Sequence, residues 1–169
     1  IAKFGNVTWE NGTLEAICRD EHKVTVASDK IQTAGAPAGI RLDVDYNNDG
    51  LRGDGTDVFL ARVTVVDANG VMVPEGPVPH GPRPHVNFEV TGGSVYGVCN
   101  GDPTTKRKAW FESDKASSRT TFNGLARVIV LANKLKSPAD DAVVKLTATT
   151  DSSTGGGNFH AELTVKVHG

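Results

Sequence analysis

The sequence predicts an all-β chain, an immunoglobulin-like antiparallel β-sandwich preceded by a β-hairpin from an adjacent small β domain. Apolar residues return at every second position in segment after segment, the pattern of strands with one buried and one wet face. Glycine is abundant, with 19 residues, and Gly-containing turn pairs separate the alternating runs. No long stretch carries a helical period.

The first element is a hairpin. Thr13 to Cys18 and Lys23 to Ile31 read as its strands, and Arg19-Asp20-Glu21-His22 as the polar turn between them. Two strands alone are marginal in water. Residues 1–35 are therefore expected to be the last strands of a preceding small β domain, docked onto its other half or onto the second domain. Thr33-Ala34-Gly35-Ala36-Pro37 marks the boundary, and residues 36–169 form the sandwich.

Within the sandwich, Ile40, Leu42 and Val44 point one way while Arg41, Asp43 and Asp45 point the other. A second strand ends at Asp67, and Asn69-Gly70 separates it from Val71-Met72-Val73. Asn11-Gly12 and Gly92-Gly93 supply the positive φ of further tight hairpins. Val95 to Cys99 is strand-like. Leu125 to Leu131 is almost continuously apolar apart from Arg127 and reads as a central strand. Val144, Leu146 and Ala148 alternate with Lys145, Thr147 and Thr149. Ala161, Leu163, Val165 and Val167 alternate with Glu162, Thr164 and Lys166. From Ile40 onward this makes about seven or eight short strands, a number that favours a sandwich over a barrel. Two irregular segments remain, Pro74 to Pro84 and the polar excursion Asp102 to Thr121.

Composition narrows the function. Lys and Arg total 18 against 20 for Asp and Glu, a formal charge of −2. That balance lacks the clustered basic face that nucleic acid or an anionic membrane requires. No apolar run approaches the roughly 20 residues needed to cross a bilayer. The start at Ile1 and the lack of a visible leader suggest processing or a fragment of something longer. Cys18 and Cys99, each in a strand-like stretch, are expected to be small buried hydrophobes in preference to a disulfide. Sequons stand at Asn6 and Asn11. The favoured setting is extracellular or periplasmic.

Several constellations touch on chemistry. Glycoside hydrolysis needs two carboxyl groups about 5–10 Å apart in a cleft. The acids here fall mostly at outward strand positions or turns, Asp43, Asp67 and Glu162 among them, so no catalytic residue is assigned and these acids are read as solvated. Asp45-Tyr46-Asn47-Asn48-Asp49-Gly50 matches the first half of a calcium loop, with Asp45, Asn47 and Asp49 as ligands. Its twelfth position holds Thr56 where a bidentate Glu belongs, leaving Asp54 or Asp57 to substitute. Calcium is the one cofactor the loop admits, and none is required; an Asn/Asp/Gly turn is the competing reading. His80 and His85 offer two imidazoles in a proline-stiffened loop without further zinc ligands at the usual spacing. Asn100, Gly101 and Asp102, with Asn123 and Gly124, are read as structural residues that pin the 102–121 excursion where it leaves and rejoins the sandwich. Trp110 and Phe111 within it, flanked by Lys106, Arg107 and Lys108, and Trp9 near the first hairpin, are candidates for contact with a sugar ring or a neighbouring domain.

Four blocks, in order, resemble the C-terminal region of glycoside hydrolase family 2 in its β-galactosidase branch. They are Thr33-Ala34-Gly35-Ala36-Pro37-Ala38-Gly39-Ile40-Arg41-Leu42; Asp54-Gly55-Thr56-Asp57 with Val63 to Pro74; Gly93 to Pro103; and Phe122-Asn123-Gly124 with Leu125 to Val130. The resemblance departs from the family pattern in a longer Asp/Asn/Gly segment after the first strand, in Cys99 and in a stretched Pro74 to Pro84 loop. It implies that the two catalytic glutamates lie in a barrel domain elsewhere, with no counterpart here. It also implies that other domains of a parent glycosidase are the partners, and that the parent hydrolyses terminal β-galactosides or a related β-glycoside with retention. Two alternatives share the fold: a carbohydrate-binding module and a bacterial immunoglobulin-like spacer or adhesin domain.

Overall fold

A computed structural model of the chain describes residues 5–8, 10–46, 50–74, 83–104, 112–113, 116–137, 141–152 and 157–169. Strand β1 (Thr13–Arg19) pairs antiparallel with β2 (Thr25–Gln32), setting Leu14 opposite Ile31 and Cys18 opposite Ala27. The connecting turn is tied by Asp20, whose Oδ1 accepts the N–H groups of His22 and Val24, each at 2.9 Å. Its positive φ is at Lys23, not at a glycine. Gly12 instead closes the open end of the hairpin, where its carbonyl accepts the Thr33 N–H at 2.8 Å.

Every residue of both hairpin strands is exposed. Cys18 is therefore not the buried hydrophobe expected from its strand-like context, because among the described residues no second layer lies behind this two-stranded sheet. Cys99 is half-buried, and both thiols are free.

The remaining strands are β3 (Pro37–Tyr46), β4 (Leu51–Arg52), β5 (Val58–Asp67), β6 (His85–Thr91), β7 (Gly93–Cys99), β8 (Glu112–Ser113), β9 (Ser118–Thr120), β10 (Leu125–Ala132), β11 (Asp141–Thr150) and β12 (His160–His168). They form two sheets, in the orders β3-β5-β10-β7-β8 and β4-β12-β11-β6-β9. Neighbours run antiparallel except β4, which lies parallel to β12. The strands number more than expected because β4, β8 and β9 are only two or three residues long.

Alternation builds the core between the sheets. Phe59, Val63 and Val128 point inward from one sheet and Phe88, Val144 and Leu146 from the other, all buried. The Val71 to Val73 segment makes one bridge, Val66 to Met72, and returns hydrogen bonds to Val65 and Asp67 without becoming a full strand. Gly92-Gly93 does not close a hairpin within one sheet. It carries the chain from β6 in the second sheet to β7 in the first. Gly92 has φ +81, and a Cβ there would stand 2.3 Å from the Val143 carbonyl oxygen, so only glycine fits the crossing.

Candidate functional site

The loop residues singled out from sequence converge at the root of the 102–121 excursion. Asn100, just past β7, donates from Nδ2 to the Thr120 carbonyl at 2.9 Å, joining the point where the chain leaves to the point where it returns. Its Oδ1 accepts the Asp102 N–H at 3.1 Å and a weaker contact from Arg119 at 3.4 Å. Asp102 Oδ1 in turn accepts from the Thr104 N–H at 2.9 Å and the Thr104 hydroxyl at 2.7 Å. Its other oxygen lies 3.7 Å from the Arg83 guanidinium, which also sits over the Phe122 ring, 5.6 Å from the centroid. His85 Nδ1 shares a hydrogen bond of 3.0 Å with the Thr120 hydroxyl. Gly101, Asn123 and Gly124 all have positive φ. At Gly124 (φ +74) a Cβ would fall 2.2 Å from the Val73 carbonyl oxygen, while the Gly124 carbonyl accepts the Val65 N–H at 2.8 Å. Arg83 and Arg119 carry no motif that would have revealed them.

A second cluster secures the junction between hairpin and sandwich. Asp67 Oδ2 accepts the Gly35 N–H at 2.8 Å, and Oδ1 accepts those of Asn69 and Val71 at 2.8 and 2.9 Å. The Gly35 bond first, then those from Val71 and Asn69, hold the carboxyl below its ordinary value, against the opposing effect of burial. Asp67 is buried. Reading it as a solvated turn acid was wrong, because its carboxylate is buried and accepts three backbone N–H bonds. Asp-Ala-Asn-Gly does signal the local turn; the bond to Gly35, 32 residues away, has no local signature.

Other carboxylates are similarly engaged. Asp54 accepts from the Thr56 N–H and hydroxyl and from the Asp57 N–H, and the Thr56 bonds foremost lower its pKa. Glu162 is lowered chiefly by its 2.7 Å contact with Lys145. Asp45 meets Arg62 at 3.3 Å and Arg127 at 2.5 Å. Calcium at this loop would have to draw Asp45 away from two guanidinium groups; Asn47 and Asp49 lie outside the described residues. So do Trp9, Trp110, Phe111 and His80. Two shallow clefts open on the described surface, of about 370 and 400 Å³. The first is lined by Ala142, Val143, Lys166, Val167 and His168, and the second contributes Asp54 as its one described carboxylate.

Fold and site together define an all-β sandwich domain whose loops are tied down by side-chain-to-backbone bonds, those at the loop root and the hairpin junction partly buried. The profile of glycoside hydrolase family 2 C-terminal domain 5 matches residues 40–154. The chain belongs to this family, as a C-terminal domain of a family 2 glycoside hydrolase. It is 35% identical over 146 residues to a β-galactosidase of Bacteroides ovatus, covering 86% of this chain and 15% of that protein. Against a β-glucuronidase of Formosa agariphila it is 28% identical over 141 residues, covering 79% of this chain and 14% of the relative. A solved family 2 member from Bacteroides cellulosilyticus superposes with a TM-score of 0.73 at 21% identity, over 96% of this chain and 18% of that one, a likeness of fold. The chain thus spans about 15% of the length of the curated relatives it matches.

Proposed function

We propose that this domain is a non-catalytic brace in a β-galactosidase-like family 2 glycosidase, packing against the rest of the enzyme and holding the 102–121 loop toward its active-site rim. The observation that carries the reading is that the chain spans 15% of its β-galactosidase relative, and the state of its carboxylates agrees. Among the described residues with a resolved shift, Asp54, Asp67 and Glu162, it runs downward. A glycosidase general acid needs the opposite, a carboxyl raised enough to hold its proton near neutrality. The bonded loop root supports the rim role, since Asn100 fixes both ends of the excursion from one point.

The sandwich is read as immunoglobulin-like. The order β3-β5-β10-β7 against β12-β11-β6 follows the four-over-three arrangement of a constant-type immunoglobulin domain, with β4, β8 and β9 as additions. Residues 1–35 are assigned to a preceding small β domain. The full exposure of β1 and β2, including Leu14, Ile17 and Ile31, supports this, because such a hairpin lacks a core of its own.

Deleting residues 40–169 from the parent enzyme tests the brace. The expected result is a lower melting temperature and faster thermal inactivation with the catalytic residues still in place. An enzyme that melts and turns over as before would refute the reading. Titration of the folded domain with galactosides and plant polysaccharides should give no heat of binding; binding abolished by Trp110→Ala would assign it instead as a carbohydrate-binding module.

A further inference from the structure

The two outer faces of the sandwich differ in chemistry. On the sheet containing β11, outward positions read Lys145, Thr147 and Thr149, with Glu89 on β6 and Glu162 on β12 across from Thr147. Apart from Val143 at the strand end, that surface is polar, as expected for a sheet facing water. On the other sheet, the central pair β5 and β10 places Leu60 directly opposite Ile129, and Val58 opposite Leu131. These four alternate with the buried core positions of their own strands, and none belongs to the core between the sheets. Beside them Arg62 stands opposite Arg127, a like-charge pair that Asp45 bridges with its two oxygens. An apolar centre flanked by paired charges is the anatomy of an interface, not of a free sheet face.

We propose that the outer face of β5 and β10, centred on Leu60 and Ile129, is covered in the intact enzyme by an apolar surface from another domain of the same polypeptide. The inference rests on the reading of this chain as one domain of a larger glycosidase. The size of that remainder favours an occupant from within the enzyme: the chain matches 15% of its β-galactosidase relative, so most of such a protein is available to pack on it. The strand sequences agree. A central strand with one face in water has no use for the nearly unbroken run Leu125 to Leu131, whereas a strand buried on both faces reads in that way.

The test compares thiol alkylation in the parent enzyme carrying either Leu60→Cys or Thr147→Cys, followed site by site by peptide mass spectrometry at two well-separated protein concentrations. Both positions are half-buried in this domain, so a difference in rate reports a cover. Thr147→Cys is expected to react about tenfold or more faster than Leu60→Cys at both concentrations, with the rates converging in urea. Ile129→Cys against Thr149→Cys repeats the comparison should the first pair misfold. Equal native rates would overturn the proposal, as would protection that vanishes on dilution, which would identify a second copy as the occupant. Native Cys18 on the hairpin separates the two readings. Fast labelling at Leu60→Cys with slow labelling at Cys18 would refute the covered face while leaving the domain docked through its hairpin.

Discussion

A carboxylate that accepts several backbone N–H bonds favours its ionised form in the folded state, and protonating it weakens those bonds. Asp67 is in this position, with Gly35, Asn69 and Val71 as donors. Its folded pKa lies below the ordinary value of 3.8. The linked stability is therefore fully present above that value and is lost as pH falls through the folded one. Asp67→Asn, which replaces one acceptor oxygen with a donor, is expected to lower the melting temperature at neutral pH and to flatten its decline on the acid side. An unchanged acid slope would show that the loss arises elsewhere. Gly124→Ala tests a different constraint. With φ +74 and the Val73 carbonyl in the way, it should cost at least about 1–3 kcal/mol in denaturant unfolding. A substitution without effect would mean that the return of the excursion is not fixed there.

At the level of strands, stability resides where alternation turns large side chains into the space between the sheets. Phe88→Ala on β6 should cost about 3–5 kcal/mol, while Thr147→Ala on the outer face of β11 should stay within about 0.5 kcal/mol. Equal costs would contradict the inward and outward assignment. The same periodicity made most of the long strands legible in sequence. Strands β3, β11 and β12 follow the alternation read there, and β10 is the central strand read from its apolar run. Strand β5 was read only by its end at Asp67, and β6 was missed although Val86, Phe88 and Val90 alternate along it. Strands β4, β8 and β9 were not legible, since two or three residues cannot display a period. Gly92 was read correctly as a positive-φ residue but not as a crossing between sheets, because the backbone conformation is the same in either role. At the candidate site, sequence singled out Asn100 and Asp102. Their partners Thr120 and Arg83 lie about twenty residues away along the chain, beyond the reach of any local pattern.

In the molecule as a whole, a self-contained two-sheet core stands beside a hairpin whose strand residues are all exposed. Leu14, Val26 and Ile31 are 58%, 61% and 67% exposed, a cost that an isolated pair of strands does not recover. In the parent enzyme the amides of β1 and β2 should exchange slowly with deuterium, and in the separate domain rapidly. Fast exchange in both would show that the hairpin has no sheet to join. The proposed brace shapes a glycosidase without performing its chemistry, and the decisive assay is turnover of nitrophenyl β-galactoside and β-glucuronide by the separate domain, with its fold verified by circular dichroism. Hydrolysis indistinguishable from buffer is the predicted result; turnover that disappears when one of the domain's own carboxylates is replaced would contradict it.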